Sequence, residues 1–203
     1  MNKDQFLEIV ATRREGRNLE FKRSMPWDTA EWMAKLMKSV LAFSNVRDGG
    51  RIIIGVEELD GGEFQFAGMN EEHFATYNQD DVDSEVARHA DPYARLSLKK
   101  VMVDEKKFIV LEIEGFDEMP VICKRNGAGN LRAGAIYTRP YGKAETVEVP
   151  SQTELREILE LATDMAARKL IARMQRTGVL NVTQARSAPN VDDQYNQQLL
   201  DLE

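Results

Sequence analysis

Scarcity narrows this 203-residue chain before any motif does. A single cysteine, Cys123, excludes an internal disulfide and a cysteine-based metal cluster, and a small core residue is the role expected of it. The two histidines, His73 and His89, fall in a helical stretch far in sequence from the acidic motifs described below and read as surface or capping residues. No apolar run approaches the roughly 20 residues a membrane helix needs. Met1-Asn2-Lys3-Asp4 leads straight into an amphipathic pattern rather than a targeting segment. No membrane association and a cytoplasmic location are therefore expected. An excess of positive charge is lacking as well: 27 Lys and Arg stand against 34 Asp and Glu, a net −7 that on its face argues against a nucleic-acid partner. Gly-x-Gly-x-x-Gly spacing and a Walker-type lysine are both missing, so the Gly49-Gly50 pair is weak as a phosphate cradle. The hydrophobic content of 42% still suffices for one sizeable core.

What the chain does have begins at Glu15-Gly16-Arg17-Asn18-Leu19-Glu20-Phe21-Lys22. If this run is a strand, Glu20 and Lys22 share one face, and Leu19 and Phe21 pack from the other. A carboxylate beside an ammonium on a rigid strand suits metal-assisted phosphodiester cleavage: the acid holds a hard cation, and the lysine steadies the attacking water. Glu15, just upstream, could reach the same ion if the entry loop folds back. A solvated, charge-alternating edge is the plainer alternative for an isolated Glu-x-Lys.

Downstream, Trp32, Leu36, Val40 and Phe43 recur at helical spacing from a start near Asp28, and Phe43-Ser44-Asn45 ends the helix. Gly49-Gly50 is expected to supply positive φ angles for the reversal into a central strand, Arg51 to Ile54. Gly55 ends that strand, and Glu57 and Glu58 emerge at its carboxyl end. A helix over 4–14, a short strand over 63–67, one helix over 71–89, and a hairpin of 95–103 with 107–113 complete the first half. Asp80, Asp81, Asp83 and Glu85 lack EF-hand spacing and read as a solvated helical face. Ser151 with Glu154 forms a capping box for a helix running to Arg176.

The charge is unevenly spread. From Pro120 to Lys143 there are five basic residues, Lys124, Arg125, Arg132, Arg139 and Lys143, and no acidic one, which leaves −12 elsewhere. These five are candidate nucleic-acid-binding residues on a second expected hairpin, 121–125 with 131–139, joined by the turn-forming Asn126-Gly127-Ala128-Gly129-Asn130. Tyr137 and Tyr141 offer stacking faces, although core positions suit them better.

Glutamate ahead of Glu-Phe-Lys, a helix ending in Phe-x-Asn, a Gly-Gly turn and an Ile-Gly-Val strand closing in acids together resemble the Schlafen AlbA-like domain, formerly described as a divergent ATPase. The resemblance implies an α+β fold, a mixed β-sheet flanked by helices, over residues 1–163; it does not cover 164–203, which composition and periodicity read as a helix extension and polar tail. It also implies a metal site of three acids, here Glu15, Glu20 and Glu58, which would hold Mg²⁺ or Mn²⁺; the residues themselves add Lys22 as a fourth catalytic residue and Glu57 as a reserve ligand. The third acid is normally Asp, and Glu58 is one methylene longer. A divalent-metal-dependent endoribonuclease acting on tRNA-like or other structured RNA is one expectation, with DNA as a second substrate class. A non-catalytic DNA- or RNA-binding regulatory module is the other. Three acids beside a phosphate backbone favour the enzyme, and the Asp-to-Glu change favours the binder. The C-terminal helix and tail are where a homodimer or protein partner would form.

Overall fold

Thr29 accepts a hydrogen bond from the Trp32 N–H and so starts a 15-residue helix, Ala30–Ser44. Its apolar stripe of Trp32, Leu36, Val40 and Phe43 is buried as the spacing requires. The structure, a computed structural model, describes residues 3–11 and 13–178, and the chain divides into two compact units, Met1–Thr163 and Asp164–Glu203. In chain order the first unit opens with α1 (Lys3–Val10), β1 (Leu19–Lys22), α2 (Ala30–Ser44) and β2 (Gly50–Ile54). A ribbon of β3 (Glu57–Glu58) and β4 (Phe64–Gln65) follows, then α3 (Glu71–Ala75) and α4 (Gln79–His89). After β5 (Ala90–Asp91), the long hairpin β6 (Leu96–Val103) and β7 (Lys106–Ile113) is followed by β8 (Ile122–Cys123), β9 (Tyr137–Thr138) and β10 (Val147–Glu148). The last helix is α5 (Gln152–Arg176).

The main sheet has the order β1-β2-β7-β6, with β1 parallel to β2 and the other pairs antiparallel, so the fold is α+β with a mixed sheet. One face carries Phe21, Ile53, Val110 and Val101, closed by Phe6 and Val10 of α1. The other carries Glu20, Ile52 and Leu111 in register. Gly49 makes the reversal from α2 with φ +65°, and a Cβ there would lie 2.0 Å from the Ile113 carbonyl oxygen. Gly50 is glycine for a different reason than expected. Its φ is not positive, and a Cβ would lie 2.1 Å from Cδ1 of Phe43.

Five expectations need correction. The helix of 71–89 is two helices, because Asn78 leaves the helical path and caps α4, accepting from the Asp81 N–H at 2.9 Å. His89 in α4 is buried, with Nδ1 3.1 Å from the Glu85 carbonyl oxygen. The hairpin expected over 121–139 does not pair with itself: β8 pairs with β5, and β9 with β10. The helix expected at 4–14 is assigned over Lys3–Val10, with Arg13 at φ +47° beyond it. The strand expected at 15–22 is regular from Leu19. Cys123 is a buried core residue, and Ser151 Oγ accepts from the Thr153 N–H at 3.1 Å at the head of α5. No described helix is long and apolar enough to cross a membrane. The polar tail expected beyond Gly178 lies outside the described residues.

Candidate functional site

The loop entering β1 does fold back. Glu15 Oε1 accepts the Phe21 backbone N–H at 2.7 Å, which ties the carboxylate to the strand. Burial pushes the Glu15 carboxyl above its ordinary range, against the opposing pull of that hydrogen bond and of Lys22.

Glu20 and Lys22 lie on one face, as strand alternation requires, and their side chains are bonded to each other through Glu20 Oε1. The second Glu20 oxygen is taken too. Arg139 Nη1 donates to Oε2 at 3.1 Å, while Arg139 Nη2 donates to the Gly16 carbonyl at 3.0 Å. The guanidinium stands 4.8 Å from the centre of the Phe43 ring and is completely shielded from solvent. Burial lowers the Arg139 pKa, and Glu20 and Glu15 oppose that shift. Glu20 itself is 7% exposed.

Beside this buried cluster lies an open cleft of about 710 Å³, lined among others by Glu15, Lys22, Arg23, Lys35, Glu57 and Glu58. Glu57 and Glu58 come from the β3–β4 ribbon and are exposed. Glu20 is not on the cleft lining; it sits behind Lys22 and faces Arg139. The three acids therefore divide, two at the cleft and one in a buried ion cluster. Among the described residues no group of three Asp, Glu, His or Cys side chains could hold a metal ion. The donor set as arranged does not fit Mg²⁺ or Mn²⁺, since these ions need several oxygens in near-octahedral placement and Glu20 lies off the cleft lining with each oxygen already facing a cation.

The basic island also divides. Arg139 is not a surface residue but a buried ion-pair partner, because Glu20, 119 positions away in sequence, draws it inward. Arg132 grips Glu148 through both Nε and Nη2, and Lys143 Nζ lies 3.6 Å from Glu145. Lys124 and Arg125 are exposed and carry no ion-pair partner among the described residues. Tyr137 is core, its hydroxyl accepting from the Arg132 N–H and donating to the Asn130 carbonyl. Tyr141 is 73% exposed, with the Arg17 guanidinium 3.6 Å above its ring.

Sequence reasoning missed Arg23 and Lys35, both exposed on the cleft. The signal for Lys35 was available, because it is a charged position flanking the apolar stripe of α2, one turn before Lys38. Lys38 lies over the Tyr137 ring at 5.2 Å. The loop 126–130 packs on the same helix: a Cβ on Gly129 would lie 3.6 Å from Ala34 Cβ and 4.0 Å from the Lys35 backbone nitrogen.

Comparison with known proteins agrees with the motif pattern. The family model described as Schlafen, AlbA_2 matches residues 15–147. The solution NMR structure of the N-terminal domain of an ATP-dependent DNA helicase RecG-related protein from Nitrosomonas europaea is similar over 75% of this chain and 96% of its own. Identity there is 24% and the TM-score 0.47. A crystal structure of a protein from Corynebacterium diphtheriae is similar at 16% identity and a TM-score of 0.46, over 72% of this chain and 26% of that one. No curated protein matches. The family match covers the whole span from Glu15 through the β9–β10 pair, and this chain belongs to the Schlafen AlbA_2 family.

Proposed function

We propose that the domain binds nucleic acid through the sugar-phosphate backbone, along the α2 wall of the cleft, without cutting it. The observation that carries this reading is the apposition of loop 126–130 with α2 at Ala34 and Lys35. It sets the loop that follows Lys124 and Arg125 against the helix whose Lys35 shares the cleft with Arg23. Exposed lysine and arginine side chains near one another are what backbone contacts require, even with Glu31 of α2 on the same lining, and such contacts position a strand without reading its bases. The opposite wall, with Glu57 and Glu58, repels phosphate and so limits where the strand can lie.

The metal-dependent endoribonuclease reading retains one supporting observation, that Glu15, Lys22 and Glu58 line a single cleft. Against it stands the engagement of both Glu20 oxygens. Fluorescence anisotropy with a structured RNA, a single-stranded RNA and a DNA duplex tests the proposal. Replacing Arg23, Lys35, Lys124 and Arg125 together by Ala should weaken binding to all three and reduce the slope of log affinity against log salt by roughly 0.7 to 0.9 per lost contact. An unchanged slope would refute the assignment of this wall. Mn²⁺-dependent cleavage by the wild type that disappears in Glu20→Gln would replace the binding module with the nuclease.

A further inference from the structure

The charge arrangement around Glu20 assigns Arg139 a specific role: we propose that it is a built-in cation, covalently part of the chain, standing where a divalent ion would otherwise neutralise this carboxylate. The Glu-x-Lys motif of β1 then serves architecture, and the domain has no divalent-ion requirement at this position. The inference concerns the buried cluster beside the cleft and rests on the binding reading above only where it speaks of nucleic acid.

Three features support it. First, each oxygen of Glu20 already faces a cation, since Oε1 is bonded to Lys22 Nζ and Oε2 accepts from Arg139 Nη1 at 3.1 Å. A divalent ion at either oxygen would have to displace one cation and sit beside the other, in a region shielded from water where like charges repel strongly. Second, Arg139 is held by far more than Glu20. Nη2 donates to the Gly16 carbonyl at 3.0 Å, Nη1 lies 3.4 Å from Thr146 Oγ1, and the plane packs against Phe43. Its own carbonyl accepts from Arg17 Nε at 2.9 Å, which ties its backbone to the loop before β1. A side chain fixed at so many points cannot swing aside to admit an ion without losing those contacts. Third, Arg139 Nε, buried, has no hydrogen-bond partner among the described residues. An idle buried donor costs free energy, which the charge-assisted bond of Nη1 to Glu20 and the bond of Nη2 to the Gly16 carbonyl offset.

The geometry also suits a lock. Arg139 begins the segment after β9, and Gly16 and Glu20 bracket the start of β1, so the one guanidinium joins the two ends of the family-matched region. A freely exchanging ion could make the same neutralisation but would release it whenever it left. The arginine makes it permanent.

Thermal unfolding of the full chain tests this with Mn²⁺ as the probe. The wild type should show no change in Tm between EDTA and millimolar Mn²⁺. Arg139→Gln and Glu20→Gln should each lower Tm by roughly 10 °C, and the double variant should lose much less than the two together, because each side chain's burial is tolerable only with the other present. Additive losses would overturn the pairing. Mn²⁺ stabilisation of the wild type that is abolished in Glu20→Gln would overturn the proposal outright, and this comparison holds even if Arg139→Gln fails to fold. Mn²⁺ should change nucleic-acid affinity no more in the wild type than in Glu20→Gln, the shared effect being competition of the cation for phosphate. A wild type that binds no nucleic acid yet shows the non-additive Tm pattern would sink the binding reading and leave the built-in cation standing.

Discussion

At the scale of single residues, buried polar groups carry most of the specificity in this domain, and Asn45 shows why. It is 2% exposed, and its amide nitrogen lies within hydrogen-bonding distance of three backbone carbonyls, Leu41 at 3.2 Å, Val121 at 2.8 Å and Tyr137 at 3.0 Å. Its carbonyl oxygen accepts the Val121 N–H at 2.8 Å. One side chain thus joins the end of α2 to the approach of β8 and to β9. Asn45→Ala leaves several of these groups without a partner and should cost on the order of 3 kcal/mol in urea denaturation. Asn45→Asp should cost at least as much, because a carboxylate would face carbonyl oxygens where an amide now donates. Glu15 makes the opposite case. Its pKa is raised in the folded state, chiefly by burial, so the ionised form weakens the fold above that raised value. The penalty fades as the pH falls through the folded pKa toward the unfolded one, where the carboxyl is protonated in both states. Glu15→Gln keeps an acceptor for the Phe21 N–H and removes the charge. It should match or exceed wild-type stability at pH 7, and that advantage should shrink at pH 4. A wild type that loses stability relative to Glu15→Gln on acidification would contradict this account.

At the scale of elements, the junction of α2 with β2 is the tightest joint. A Cβ at Gly50 would overlap the Phe43 ring, so Gly50→Ala should be destabilising by about 1–3 kcal/mol or more, in the manner of an overpacked core. Phe43→Leu, introduced as a second change, should recover part of that loss; if it recovers none, the clash is not the cause. Much of this scale was legible in the sequence. The helix Ala30–Ser44, the central strand Gly50–Ile54 and the hairpin β6–β7 each follow from periodicity and turn residues that act over a few positions. What was not legible depends on distant partners. The pairing of β8 with β5 and of β9 with β10 joins two-residue strands too short to leave a pattern, and the break at Asn78 turns on one cap. In the site, alternation correctly placed Glu20 and Lys22 on one face. Nothing local could show that Arg139, in a run of surface-like basic residues, would leave them for Glu20 across the fold.

At the scale of the whole molecule, the puzzle is an acidic chain of net −7 whose proposed ligand is a polyanion. Screening resolves it. At physiological salt, charges more than about 8 Å apart scarcely feel each other, so a strand lying on the α2 wall responds to Arg23, Lys35 and the acids that share their cleft rather than to the total. Glu57 and Glu58 are the exposed acids on the β3–β4 side of that cleft. Replacing both by Gln removes two negative charges without touching the α2 wall. Nucleic-acid affinity at moderate salt should rise, roughly threefold to tenfold, and the gain should diminish as salt is raised because the repulsion it relieves is itself screened. The change should also be similar for RNA and DNA, since it acts on phosphate. Weaker binding in Glu57→Gln/Glu58→Gln would mean that these carboxylates touch the ligand directly, as acceptors for base amino groups or through a cation, and the strand would then have to cross the cleft instead of following one wall.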